Sequence, residues 1–456
     1  MFRVIFVDLR LPTMLSKQLI SSVLVQIPVF VLGVISGIFS TRILGEESKG
    51  IFSLFQANSQ LFVLLFSIGI QTGIVYFISS GKLSDGKIIG MTIRIFGLSS
   101  AVLLAFLLLM HLGGLSEYML SKDYSSLLYL LLLFLLYLLI FLNSIMTAFL
   151  QAKSKFKYIN MVSLSGSIFN ALVFAFLFFW MNGRSCTASE KLNYVLYTTI
   201  AVLLFNTILW FFFYRREYAV SADFSFNTRE ELKPFLFYNS AIFLGTIINF
   251  LNYRLDLWIV NNLLPEKELS YYSLSANINQ IILYISVTIA TVMLPNLSGK
   301  PDEERIRTFT QISRISFTFF IFIVATAWIL ADGLIPFVYG ETFHPSVLPF
   351  RILLPGVLLS CNTQLFATLI VASKKNILNI IATSVGLLIT VTLDLCLIPV
   401  YGIKGAACAT ALSYCVIFIS TFYLSLKKLN MPVTNYFLLT REDAVMLRKQ
   451  LVTLLK

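Results

Sequence analysis

The sequence predicts an all-α, polytopic membrane protein of about twelve transmembrane helices in two six-helix lobes, with no soluble catalytic domain. Three observations predict it. Hydrophobic residues make up 58% of the chain and charged residues only 12%, where soluble domains carry about a quarter. Mean hydropathy is +0.85. Charge-free stretches recur at the length of the ~20 residues needed to cross a ~30 Å hydrocarbon core. Unpaired backbone groups are costly in lipid, and the runs far exceed the ~10-residue alternating strands of an outer-membrane barrel, so they read as helices.

In order, the apolar runs are Gln18 to Thr41, Gly50 to Gly81, Ile95 to Ser116, Tyr124 to Ala152, Tyr158 to Gly183 and Leu192 to Tyr214. The second half repeats the pattern in Phe235 to Tyr253, Leu269 to Gly299, Ile315 to Ala331, Ile352 to Ser373, Asn376 to Leu393 and Gly405 to Leu426. The first run is too long for a signal-peptide core and lacks a small-x-small cleavage pattern, so it is expected to stay as an uncleaved helix.

The net charge of +12, from 34 Lys and Arg against 22 Asp and Glu, raises nucleic acid as a partner. Placement decides against it. With a cytoplasmic amino terminus, most basic residues fall on one side, in the even-to-odd loops and the tail. Typical are Lys153, Lys155 and Lys157, then Arg215, Arg216, Arg229 and Lys233, and finally Lys427 and Lys428. That is a topology signal, and it puts both termini in the cytoplasm. The five cysteines form no CxxC pair, so neither a zinc site nor a disulfide framework is expected.

Comparing the halves at an offset of 220 residues sets Leu44, Glu46, Ser53, Leu54 and Gln60 against Leu264, Glu266, Ser273, Leu274 and Gln280, and Phe52 against Tyr272. A second block pairs Ala152, Lys155 and Gly166 with Ala372, Lys375 and Gly386. An internal duplication into parallel repeats enclosing a central cavity is the expectation. It gives an N-terminal lobe over 1–220, a cytoplasmic linker over 221–234, a C-terminal lobe over 235–428 and a cytoplasmic tail over 429–456. In the tail, Thr440 followed by Arg441, Glu442 and Asp443 reads as a capping box that opens an amphipathic helix. A solvated tail is the other reading.

No GxxxxGK[ST] run is present, so any active transport has to draw on an ion or substrate gradient. His111 and His344 are expected to be ordinary outer-loop residues, and no metal site or cofactor is predicted. Polar residues instead recur at helical spacing: Gln56, Gln60, Ser67 and Gln71; Asn160, Ser163, Ser167 and Asn170; Ser273, Asn277, Gln280 and Tyr284; Asn376, Asn379, Thr383, Thr390 and Asp394. Each stripe is either interhelical hydrogen bonding or the wall of a wet cavity, and their number favours the cavity. Ionisable groups at membrane depth are the sharper pointers. They are Arg254, Asp256 and Asp394, with Arg42, Asp332 and Arg351 nearer helix ends. Arg254 and Asp256 point roughly 200° apart on a helix and do not pair on one face. For Arg254 a phosphate contact and snorkelling to the interface remain equal alternatives.

Particular segments resemble polysaccharide flippases of the MOP superfamily. STRILGEESKGIF, Ser40 to Phe52, is similar to their "TR-x-LG … G-x-[FY]" pattern. NYRLDLWIVNNLLPEKELSYYSLSANI, Asn252 to Ile278, resembles their seventh helix and the "Y-S-x-A" entry to the eighth. VMLPNLS, Val292 to Ser298, and GETFHPSVLPFRILLPG, Gly340 to Gly356, resemble the exit of helix eight and the loop before helix ten. LIPVYGIKGAACATALSY, Leu397 to Tyr414, is the most specific match, to "LIP-x-[YF]-G-x-x-G-A-A-x-A-T". Asp394 is a departure, standing where relatives commonly carry Asn.

The resemblance implies a MATE-like fold, inner-membrane location, and translocation of an undecaprenyl-pyrophosphate-linked oligosaccharide, of O-antigen or another surface polysaccharide. Its partners would then be that lipid-linked substrate, membrane lipids, and the polymerase and glycosyltransferases of the pathway. Arg254, and after it Arg42 and Arg351, are expected to meet pyrophosphate, because guanidinium matches phosphate bidentately. Gln60, Asp256, Asn277 and Gln280 complete the expected substrate-binding set. Asp256 and Asp394 are the candidates for a coupling ion, H+ or Na+. The rivals are a cation-coupled drug or metabolite antiporter of the same fold, and a membrane glycosyl polymerase or ligase, which the short outer loops disfavour.

Overall fold

In lipid a backbone has to satisfy its own hydrogen bonds, and every apolar run accordingly lies in helix. The computed structural model describes residues 13–218, 221–225, 228–432, 435–441 and 443, with backbone alone for 13–24, 228–229, 238 and 240–242. Among these residues the helices are α1 (Thr13–Ser67), α2 (Ile70–Ser79), α3 (Asp85–Leu112), α4 (Leu127–Ala152), α5 (Phe156–Met181), α6 (Ala188–Glu217), α7 (Lys233–Leu263), α8 (Glu266–Leu297), α9 (Asp302–Tyr339), α10 (Val347–Ala372), α11 (Ile377–Tyr401) and α12 (Ile403–Lys428). Among the described residues ten helices are long and apolar enough to cross a membrane. Helix α7 carries Asn249, Asn252, Arg254 and Asp256 in its second half. The chain is a multi-pass membrane protein.

Three boundaries differ from the expected ones. The first and second runs share α1, and the chain turns between them at Gly45 alone, with φ 65° and ψ −171°. Only glycine adopts that conformation without a Cβ clash. The second run breaks again at Ile68 and Gly69, both with positive φ, which separates α2. Helix α9 extends past its apolar core to Asp302, where Asp302, Glu303 and Glu304 complement the positive helix start. His111 lies in the last turn of α3, not in a loop, and His344 lies in the 3-10 turn Glu341–Ser346.

Helix starts follow their caps. Thr187 and Glu190 form a capping box at α6, the Glu190 carboxylate accepting from the Thr187 N–H at 2.8 Å and the Thr187 hydroxyl from the Glu190 N–H at 3.3 Å. The linker lies on the start of α3. The Asp223 N–H donates to the Gly86 carbonyl at 2.9 Å, and Lys87 pairs with Glu231 at 2.8 Å.

Contacts divide the chain into two units. The first is Pro12–Phe250 with Pro265–Ser270, and the second includes Leu251–Leu264 and Tyr271–Lys456. In the first, α1 packs on α5 and α6, and α4 on α6 and α2. In the second, α12 packs between α10 and α11. The second unit has an aromatic core in which Phe366 meets Phe309, Phe418, Phe422, Tyr436 and Phe437 at ring-centroid distances of 4.8 to 6.4 Å. The tail therefore docks on α9, α10 and α12. There the Thr440 N–H donates to the Asp443 carboxylate at 3.0 Å, as the capping-box reading expected, and Arg314 of α9 pairs with Asp443 at 2.8 Å. The amphipathic helix expected beyond it lies outside the described residues.

Candidate functional site

The predicted residues of α7 and α8 meet inside the second unit. Asn277 and Gln280 lie three apart and so share a face of α8. Arg254 of α7 reaches both, donating to the Asn277 side-chain oxygen at 3.2 Å and to the Gln280 oxygen at 2.9 Å. Its partners are neutral amides. They orient the guanidinium, and among the described residues no carboxylate is hydrogen-bonded to it, with donors to spare among the five it carries.

Asp256, two residues on, points elsewhere, as helical geometry requires. It is buried, and its Oδ2 accepts from the Tyr272 hydroxyl of α8 and from Thr410 of α12 at 3.4 Å. The Tyr272 and Thr410 hydroxyls lie 3.1 Å apart. Asp394 of α11 is within electrostatic reach of Asp256 and Tyr272. It is 0% exposed, and neither carboxylate oxygen has a hydrogen-bond partner among the described residues. A bare buried carboxylate is among the most costly groups a protein can hold. Asp256 with its two hydroxyl neighbours, and Asp394 within electrostatic reach of it, offer oxygen donors of the kind suited to a proton or a hard cation.

The remaining predicted residues are distributed differently. Arg351 has partners of its own on α9: it pairs with Asp332 at 2.7 Å, donates to the Trp328 carbonyl at 3.0 Å and stacks 4.7 Å over the Trp328 ring. Arg42 and Gln60 are exposed on α1, in the first unit. Several stripe residues join helices within a unit: Gln71 to Ser144 at 3.0 Å, Asn170 to Ser36 at 2.9 Å, Asn252 to the Thr383 carbonyl at 2.9 Å, and Thr390 to Ser413 at 2.7 Å. Those members act as interhelical glue, and the stripes are not cavity wall throughout.

Tyr272 and Thr410 were not expected at the site. Both lie in segments whose motif was recognised, but a hydroxyl in an apolar helix carries no sign of which carboxylate it faces. Asp256 at i and Asn252 at i−4 were the legible part.

The comparisons bear on this geometry. No curated protein matches the sequence. Among solved structures, the lipid II flippase MurJ in an inward closed conformation is similar at 16% identity, with a TM-score of 0.68 over 91% of this chain and 89% of that one. An inward-facing multidrug resistance MATE family transporter of the MOP superfamily is similar at 12% identity and a TM-score of 0.65, over 88% and 94% of the two chains. A MATE transporter from Vibrio cholerae is similar at 14% identity and 0.63, over 93% and 99%. These likenesses establish the fold. A family model described as polysaccharide biosynthesis protein matches residues 15–299. The chain therefore belongs to the polysaccharide biosynthesis protein family and is built on the fold shared by MurJ and the MATE transporters of the MOP superfamily.

Proposed function

We propose that the chain is a flippase, not an enzyme, and that it carries an undecaprenyl-pyrophosphate-linked oligosaccharide from the inner to the outer face of a bacterial cytoplasmic membrane. The observation that carries this reading is Arg254, an intramembrane guanidinium held in orientation by Asn277 and Gln280, with no carboxylate hydrogen-bonded to it among the described residues. Such a group suits a pyrophosphate, whose paired oxygens take the fork bidentately. Family membership supports a lipid-linked glycan as cargo, with O-antigen or another surface polysaccharide repeat unit as the class. Alternating access of the two repeat halves supplies the path. The basic loops support a cytoplasmic position for both termini, and the polymerase and glycosyltransferases of the pathway are the expected partners.

Asp256 and Asp394 form the coupling site in this reading, taking a proton or Na+ in exchange for substrate movement. Both carboxylates, and the two hydroxyls bonded to Asp256, belong to one unit. An export antiporter for drugs or metabolites is the second reading, favoured by the MATE-like fold.

One experiment separates them. A strain lacking the protein loses surface polysaccharide and accumulates its lipid-linked repeat unit on the inner leaflet if the first reading holds. Intact polysaccharide together with new sensitivity to cationic drugs would establish the second.

A further inference from the structure

Tyr272 follows immediately on a crossing between the two units. The chain leaves the second unit at Leu264, belongs to the first over Pro265–Ser270, and returns at Tyr271. The crossing segment is fastened to the first unit at three points. Glu266 accepts from the Ser121 hydroxyl, Lys267 pairs with Glu46 at 2.9 Å, and the Gly50 N–H donates to the Ser270 hydroxyl at 2.7 Å. The approach is close: a Cβ on Gly50 would lie 2.8 Å from both the Ser270 nitrogen and Leu269 Cγ. The first turn of α8 thus rests on the backbone of α1.

Tyr272 lies two residues beyond Ser270, an axial rise of ~3 Å within one continuous helix. Its hydroxyl is committed to Asp256 and Thr410. A helical turn is stiff over that length, so displacement of the ring and displacement of Ser270 are not independent.

We propose that Tyr272 is a positioning residue that couples the buried carboxylates to the docking of α8 on α1. The proposal rests on the reading of Asp256 and Asp394 as a cation site. A cation drawn between the two carboxylates turns Asp256 Oδ2 away from the Tyr272 hydroxyl. The ring then loses its strongest acceptor, the first turn of α8 moves with it, and the Ser270–Gly50 and Lys267–Glu46 contacts weaken. Occupancy of the site is in this way read at the helix end without any substrate contact. The physical warrant is a hydrogen-bond chain joined to a stiff helical turn that is docked in this structure, the released arrangement being what the proposal adds.

The test uses the full-length chain in membranes, with Cys186, Cys361, Cys396, Cys408 and Cys415 replaced. Cysteines placed at positions 46 and 267 report docking through their rate of oxidative cross-linking. Tyr272→Phe and Asp256→Asn are each expected to slow cross-linking roughly three- to tenfold. The double variant is expected to be no slower than the slower single, since both cut one chain of contacts. Thr410→Val, which removes the other hydroxyl and leaves the tyrosine in place, is expected to slow it by a smaller factor and serves if Tyr272→Phe does not fold. Tyr414→Phe, a buried tyrosine outside the chain of contacts, is expected to keep the starting rate. A starting rate in folded Tyr272→Phe, or multiplying effects in the double variant, would overturn the coupling. Failure of the cation reading registers separately, as cation-driven transport that survives Asp394→Asn while the cross-linking pattern still holds.

Discussion

The guanidinium of Arg254 reaches from α7 to α8 and donates to the Gln280 side-chain oxygen at 2.9 Å, one turn beyond its contact with Asn277 at 3.2 Å. Both partners are neutral, so they fix direction without consuming charge. Arg254→Ala is expected to lower transport of the lipid-linked oligosaccharide at least roughly tenfold, the scale of a charge-assisted bidentate contact. Arg254→Lys keeps the charge and loses the fork, and is expected to fall between the two. The measurement is recovery of surface polysaccharide in a deletion strain expressing each variant at equal level. Wild-type recovery with Arg254→Ala removes the site.

Asp394 is buried without a hydrogen-bond partner among the described residues. A neutral amide of the same shape sheds the desolvation cost of a carboxylate. Asp394→Asn is therefore expected to stabilise the protein by about 1–3 kcal/mol and, under the coupling role proposed for Asp394, to abolish a cation dependence of transport. Thermal unfolding in detergent checks the first effect and transport into vesicles under imposed Na+ or proton gradients checks the second. A variant that is no more stable than wild type and still ion-driven contradicts both.

Asp443 gives a pH dependence outside the membrane-spanning helices. Burial works to raise its carboxyl, but the Thr440 N–H and hydroxyl together with Arg314 outweigh it and hold the group below its ordinary value. A depressed carboxylate contributes stability that is present above the unfolded value of about 3.9 and is lost as pH falls through the folded one. Docking of the tail is thus expected to be flat from neutral pH down to about 4 and to loosen below it. A fluorophore attached at position 439 in a cysteine-free chain reports the release. Asp443→Asn is expected to remove this acid step, and an unchanged step in that variant would assign it to another group.

Phe366 is fully buried, in ring contact with five other aromatic residues of α9, α12 and the tail. Phe366→Ala is expected to cost roughly 3 kcal/mol through the cavity it leaves. It is also expected to release Tyr436 and Phe437, so the fluorophore at position 439 reports a free tail at neutral pH. A melting temperature within a degree or two of wild type would show that the neighbouring rings close the gap.

The apolar runs announced their helices because lipid leaves the backbone no other partner. What they did not announce was continuity. Gly45 reads as a loop residue beside Glu46 and Glu47, yet the helical ladder resumes directly after it. Asn277 and Gln280 were legible as one polar face because of their helical spacing, while the reach of Arg254 from another helix to that face was not. Tyr272 on Asp256 and Arg314 on Asp443 were not, since each joins two different elements and only packing selects the pair. Asp394 was legible as an oddity of composition, and its lack of partners was visible only in three dimensions.

The lysines of the basic loops have a second role. Lys153 lies 3.0 Å from Asp85, Lys155 2.7 Å from Glu217 and Lys87 2.8 Å from Glu231. During insertion, acidic residues count little against the lysines that orient a chain, so these carboxylates leave the orienting instruction intact. After folding they cancel much of the local field and tie loop to helix end. Removing Asp85, Glu217 and Glu231 together should therefore leave the membrane orientation untouched while making that face more cationic and its loops easier to cleave, a separation between how the chain is threaded and how it is finally held.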